Sequence, residues 1–474
     1  MRNAGGFATF AERPRVRILP VLCVFAVALL VCAGLTKRHA VSWNDGSRWA
    51  TVDALAADHT FAIDGSPYMA ATGDRIRVRG RTFSDKPPLL ALLGAGVASM
   101  LQPLGLGLRT TPAVAIYLIT LLTVGVWFAL GCSYAFVFQR KLGFDERRSA
   151  AVAAATGLAT LALPYATVLA NHVPAGAAGL AGCYHLTFER DRARGLLLGG
   201  LFLSLAYAFD PAAVVFAVLA VVLLAGIPPV RLLLFGLALL PVVLAQLAYN
   251  VDITGSPLPP VFNAAVWNDR SLPLYQPLTT PVVGFYSGAQ YLTFVFDLLL
   301  GKKGLFVFTP LAAVCVYGVI VMCKQGAQRR RLGAAIAATC VTLFLLIVFF
   351  QNDEVSQNFG ERRYVDIFFV ACTSLGVAFG AVRGVVAATA VRLAVCASLL
   401  IAGLGAIAPF GGHKGQSGFS YATAELGRIA LRNRWQAIED VLGVCLVLVL
   451  VLWLMRGAVI GPIAPRVIQE RRRA

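Results

Sequence analysis

Polar and apolar positions alternate along this chain in long blocks rather than at helical or strand spacing. Apolar runs fall at 18–35, 112–137, 149–169, 173–188, 195–209, 211–227, 231–249, 304–323, 333–350, 365–382, 392–410 and 438–456. Most approach the roughly 20 residues that an α-helix needs to cross a bilayer. Several are hydrophobic all round, as a lipid-embedded helix is, and none carries the polar face of a soluble amphipathic helix. The pattern predicts an all-α polytopic membrane protein with about 12 transmembrane helices, 13 being possible, in one domain over 1–474. No repeat of fixed period is present.

One segment decides the topology. Residues 88–108 are apolar but broken by Gly94, Gly96, Gln102, Pro103, Gly105 and Gly107. If they span, most later basic clusters lie outside. If they form a juxtamembrane helix in the outer interface, the short basic loops at 139–148, 189–194, 228–231, 324–331 and 383–392 and the tail 471–473 all lie in the cytoplasm, as the positive-inside rule expects. The second arrangement is favoured, with both termini inside. The basic segment before Ile18 and the length of the first run favour an uncleaved first helix over a signal peptide. The stretches 37–88, 171–172, 250–303 and 351–364 then converge outside, with an amphipathic helix expected from Tyr421 to Arg434.

Hydrophobic residues make up 58% of the chain and charged residues 14%, which excludes an ordinary soluble domain. The net charge of +18 does not point to nucleic acid, because the Lys and Arg sit in short clusters between apolar runs. All 10 cysteines lie in apolar segments with no CxxC pair, so neither a disulfide framework nor a zinc site is indicated.

The candidate chemistry gathers in the 37–88 loop. Asp45 lies beside Arg48 between Trp43 and Trp49, either as a solvated loop carboxylate next to interfacial tryptophans or as a general base at the membrane surface. Asp85-Lys86-Pro87-Pro88 precedes an apolar helix, and the prolines fix that helix's entry. The Lys86 ammonium there is a snorkelling interfacial lysine or a phosphate ligand.

The pair N-D-G-S-R-W-A-T-V-x-A-L and F-S-D-K-P-P-L-L, some forty residues apart, resembles the first outer loop of the GT-C glycosyltransferases. It is most similar to the branch of protein O-mannosyltransferases and the lipid A aminoarabinose transferase, with D-E-x-R-[YW]-A followed by E-K-P-P-L. Gly46 departs from the family's Glu, so the paired acid is missing. Asn171-His172 and Gly360-Glu361-Arg362-Arg363-Tyr364 resemble further polar positions at helix ends. An arginine at an outer helix end fits a phosphate ligand or an ion pair with Asp353 or Glu354. Asp210 either reaches the site or caps the next helix, and His185 is expected to be a hydrogen-bonded core residue.

The resemblance implies an inverting glycosyltransferase at the outer face of the plasma (inner) membrane, moving a hexosyl or pentosyl group from a polyprenyl-phosphate-linked sugar. Asp45 is then the catalytic base, with Arg48, Asp85, Lys86, His172, Arg362 and Arg363 as substrate ligands. The acceptor is a glycan, a lipid or a protein. With no carboxylate cluster visible, no essential divalent metal or other cofactor is expected beyond the lipid-linked co-substrate. A transporter or lipid flippase is the alternative; it expects mid-membrane charges and inverted repeats.

Overall fold

The computed structural model describes residues 16–267, 287–350, 358–410, 418–432 and 449. It is built from helices, with one short β-hairpin. Among the described residues six helices are long and apolar enough to cross a membrane: α1 (Ile18–Leu35), Pro112–Lys141, Pro229–Thr254, Ala327–Phe350, Arg362–Ala381 and Val385–Ile407. Shorter apolar helices include Ala193–Phe209, Pro211–Leu224 and Leu311–Cys323. Exposed leucines and valines stud α1 and Pro229–Thr254, as expected of helices whose neighbours are lipid tails. The expected run 438–456 lies outside the described residues apart from Val449, as do Asp353, Glu354 and the basic tail.

Proline sets where the apolar runs break. The run 304–323 is two helices, Leu305–Phe308 and Leu311–Cys323, separated at Pro310, which has no N–H to continue the ladder. The run 149–169 ends as a helix at Leu158 and resumes as the short Ala162–Ala166.

The centre of the core is the nearly wholly buried Arg362–Ala381 helix, packed against His172–Phe188. Gly176 allows this contact: a Cβ there would stand 2.7 Å from the Val365 carbonyl oxygen. Two helices can approach this closely only where a side chain is missing.

The 37–88 stretch is where the fold departs most from expectation. It is not an open loop. Helix α2 (Trp43–Asp58) occupies its first part, and strands β1 (Arg75–Val78) and β2 (Arg81–Ser84) form an antiparallel hairpin in its second. The turn residues Arg79 and Gly80 both have positive φ, 51° and 77°, which two-residue hairpin turns favour. Helix α3 (Pro88–Leu101) follows, with Pro88 in its first turn. Its 14 residues rise about 21 Å, short of the hydrocarbon thickness.

Candidate functional site

The local sequence around α2 builds a helix start that aims Asn44 and Arg48 inward. Ser42 and Asp45 form a capping box: Ser42 Oγ accepts from the Asp45 N–H at 3.2 Å, and Asp45 Oδ1 accepts from the Ser42 N–H at 2.7 Å. Asp45 Oδ1 also accepts from Ser42 Oγ at 2.7 Å and the Gly46 N–H at 3.1 Å, while Oδ2 accepts from the Val41 N–H at 3.0 Å. Burial raises the Asp45 carboxyl above its ordinary value, against these hydrogen bonds and the Arg48 charge. Both oxygens are thus occupied by the helix start, and Asp45 does not line the cavity described below. Gly46 lies beneath the Ala71 carbonyl, 3.3 Å from where its Cβ would be, so the turn at Met69–Ala71 fills the place a second acid would need. Replacing Asp45 with Ala is expected to lower unfolding stability by about 0.5–2 kcal/mol while leaving measurable activity. Lost activity with unchanged thermal unfolding would return the catalytic role to Asp45.

The hairpin delivers Lys86. Ser47 Oγ shares a 2.6 Å hydrogen bond with Ser84 Oγ, tying α2 to the end of β2, and Ser84 Oγ accepts the Lys86 N–H at 3.1 Å. The Lys86 ammonium sits 2.8 Å from both Asp74 and Asp85. Burial acts to raise Asp74, but the Lys86 charge overrides it and leaves that carboxyl below its ordinary value. Burial dominates at Asp85 and leaves it above, despite the same lysine. Two of the three ammonium donors are used in this clamp, and the third remains for the cavity that Lys86 lines.

Arg48 crosses from α2 to the start of the His172–Phe188 helix. One terminal nitrogen donates to the Asn44 carbonyl at 2.8 Å and Asn44 Oδ1 at 2.6 Å; the other donates to Asn171 Oδ1. Its Nε is buried with no partner among the described residues. Burial first, and the neighbouring Arg362 charge second, push this guanidinium down to about 10. Arg362 also keeps a buried, unpartnered Nε; it donates to Asn358 Oδ1 at 3.3 Å and lies 5.8 Å from the centre of the Phe410 ring. Neither arginine has a carboxylate within ion-pair distance among the described residues. Arg363 differs, pairing with Glu361 at 3.0 Å.

These side chains line one cavity of about 190 Å³. Arg48, Lys86, Arg362 and Arg363 bring four cations to it, together with Asn44, Asn171, His172 and Asp210. The lining is otherwise largely apolar: Val214, Val261 and Phe262, with Leu343, Leu346, Ile347 and Phe350 from the Ala327–Phe350 helix. An occupant with an anionic head and a hydrocarbon tail matches this lining.

At the inner wall His172 Nδ1 lies 2.7 Å from Asp210 Oδ2 and 3.1 Å from Asp366 Oδ1. Asp210 also caps the next turn through the Ala212 N–H at 2.9 Å and accepts from Asn171 Nδ2 at 2.6 Å. In the neutral tautomer that directs Nδ1–H to the carboxylates, Nε2 is the acceptor, and that atom has no hydrogen-bond partner among the described residues. A carboxylate-oriented imidazole of this kind can take a proton from a hydroxyl. The same three residues place one N and two O ligand atoms within 4.8 Å of one another, close enough to hold a metal ion.

The cavity therefore unites Arg48, Lys86, His172, Arg362 and Arg363 from four separate stretches, and its lining does not include Asp45 or Asp85. Asp210 is there, both as cap and as partner of His172. Asp366 was not singled out from the sequence, although a carboxylate inside an apolar run is itself a signal of function. His185 hydrogen-bonds Glu189 at 2.9 Å and Tyr134 at 3.3 Å within the core, as expected.

No family model matches the chain, and no curated protein matches it in sequence. Solved structures match it in fold. ArnT from Cupriavidus metallidurans in the apo state aligns at TM-score 0.51 and 16% identity over 93% of this chain and 77% of its own. The same protein bound to undecaprenyl phosphate aligns at TM-score 0.50 and 14% identity, over 94% and 78%. The apo Archaeoglobus fulgidus oligosaccharyltransferase gives TM-score 0.45 and 13% identity, over 85% and 56%. The chain is a multi-pass membrane protein whose fold is similar to that of ArnT from Cupriavidus metallidurans.

Proposed function

We propose that this protein is a glycosyltransferase that moves a sugar from a polyprenyl-phosphate donor to an acceptor hydroxyl at the outer face of the plasma membrane. The observation that carries the proposal is the cavity whose lining combines four cations with seven large apolar side chains. A polyprenyl phosphate is an anion on a hydrocarbon tail, and one structure similar in fold holds undecaprenyl phosphate.

In this scheme Arg48, Arg362 and the remaining Lys86 donor bind the donor's phosphate, with Arg363 at the rim. The acceptor oxygen attacks the anomeric carbon as the bond from that carbon to the phosphate oxygen breaks. The electron pair leaves with the polyprenyl phosphate, whose growing charge the cations stabilise. The acceptor proton passes to His172 Nε2, with Asp210 and Asp366 orienting the ring and stabilising the imidazolium. A single displacement inverts the anomeric centre. The hydroxyl-bearing acceptor and the kind of sugar, hexosyl or pentosyl, are left open by this chemistry.

The test is reconstitution of the purified full-length chain with polyprenyl-phosphate sugars. Lys86→Ala is expected to weaken donor binding and to slow leaving-group departure, and Lys86→Arg to recover part of the loss because the charge persists with altered geometry. The same reaction in EDTA is expected to proceed at the untreated rate, because the scheme routes no step through a metal. Loss of turnover in EDTA would make His172, Asp210 and Asp366 a metal site. Lipid translocation without any glycosyl transfer would favour the flippase alternative.

A further inference from the structure

Asn171 occupies the position that caps the His172–Phe188 helix, yet its side chain makes no cap. An asparagine there ordinarily turns its carbonyl back onto the N–H groups of the first helical turn. Here the third helical residue is Pro174, which has no N–H to offer, and the amide is spent on two groups from other elements. Its Oδ1 accepts from a terminal nitrogen of Arg48 on α2. Its Nδ2 donates at 2.6 Å to Oδ2 of Asp210, which lies between the Ala193–Phe209 helix and the turn Pro211–Val215. All three side chains are buried, and Asn171 is the hydrogen-bonded link between the other two among the described residues.

The two residues it separates carry opposite charges and line the same cavity. Of the five N–H groups of Arg48, two go to Asn44 and one to Asn171, and its Nε has no partner among the described residues. The Asp210 Oδ2 that accepts from Asn171 also lies 2.7 Å from His172 Nδ1, while Oδ1 accepts from the Ala212 N–H at 2.9 Å. A guanidinium and a carboxylate this close in a buried site attract strongly, and in direct contact they form a bidentate pair. Such a pair would cancel a cation that a phosphate needs and occupy the oxygen that orients His172. A neutral amide between them prevents it, accepting from the cation on one side and donating to the anion on the other. An aspartate at 171 could not donate in its ionised form, and a lysine or arginine could not accept.

We propose that Asn171 is a positioning residue, a neutral spacer that keeps Arg48 from pairing with Asp210 and so holds one cation for the donor's phosphate and one carboxylate for the base. This rests on the transferase proposal above and names the side chain that keeps its two halves apart.

The test uses the full-length protein in phosphatidylcholine nanodiscs. Undecaprenyl phosphate is the binding probe, and sugar release from undecaprenyl-phosphate hexoses and pentoses measures turnover. Asn171→Ala opens the gap between the two charges. It is expected to weaken undecaprenyl phosphate binding about tenfold, the worth of one charge-assisted hydrogen bond, and to slow turnover about 10²-fold, as a small misplacement of reacting groups does. Adding Asp210→Asn to Asn171→Ala removes the carboxylate that captures Arg48, so most of the binding should return while turnover stays low. A merely structural role predicts no such recovery, because the second substitution removes still more of the native hydrogen bonding. Asn171→Ser keeps a favoured capping residue on a side chain too short to reach both partners, and serves the same comparison if Asn171→Ala does not fold. Unchanged binding in the folded variant overturns the proposal, and so does a loss of binding that Asp210→Asn fails to reverse. Unsubstituted protein that binds undecaprenyl phosphate but releases no sugar from any of these donors sinks the transferase proposal instead, and the recovery of binding then still decides the spacer. Unsubstituted protein that does not bind undecaprenyl phosphate ends both.

Discussion

Replacing His172 with Gln is expected to lower turnover by about 10²–10⁴-fold, the usual worth of a positioned general base. Donor affinity should stay near that of the unsubstituted protein, because the phosphate is assigned to Arg48, Lys86 and Arg362 on other elements. The acid limb of the pH–rate profile, which reports protonation of the imidazole, should disappear with it. A purely structural role predicts something else. The ring sits between Asp210 and Asp366, so its loss would leave two buried carboxylates short of a partner and would show first as reduced thermal stability. Measuring unfolding, donor binding and the pH profile on the same preparation separates the two. Turnover near that of the unsubstituted protein in a folded His172→Gln variant would end the proposal that His172 is the base.

Arg48→Ala is the second large effect, expected at about 10²–10³-fold in turnover, the loss seen when one fixed donor to a developing anion is removed. Two consequences of one substitution have to be told apart. Arg48 joins Asn44 on α2 to Asn171 before the His172–Phe188 helix, so its removal leaves buried amide oxygens unpaired at about 1–3 kcal/mol each. It also removes a buried charge whose Nε has no partner among the described residues. If phosphate binding dominates, Arg48→Lys should restore donor binding in part, since a charge returns even though the fork to both asparagines does not. If the bridge dominates, Arg48→Lys should be as impaired as Arg48→Ala and both should melt early. Unchanged donor binding in Arg48→Ala would remove this residue from the phosphate site.

Much of the architecture was legible in the chain because the bilayer imposes a simple rule. Every backbone polar group in lipid must be satisfied within its own helix, so spans announce themselves as apolar runs of about 20 residues. The expected runs 18–35, 173–188, 195–209 and 333–350 coincide with described helices to within six residues at either end. The runs that were misjudged contain proline, whose missing N–H breaks a helix without changing its hydropathy, as at Pro310. The 37–88 stretch reads as a loop in sequence because its polar side chains obscure its local signals. Yet Ser42-x-x-Asp45 is a helix-start pattern and Arg79-Gly80 a hairpin-turn pattern, and both were available from neighbouring residues alone.

The sequence by itself determined that this is a polytopic helical membrane protein, and that its polar chemistry gathers in a few stretches between helices, including the Lys86 and Arg48 motifs. These follow from composition and local spacing, which each short segment carries alone. Only the tertiary structure decided which polar residues meet. Asp45 has the position that the resemblance gives to the catalytic base, but its carboxylate accepts from the Val41, Ser42 and Gly46 N–H groups around the start of its own helix. Asp366 is 194 residues from His172 and yet is its hydrogen-bond partner. A carboxylate's role depends on which donors reach it and whether water does, and these are set by packing between segments distant in sequence.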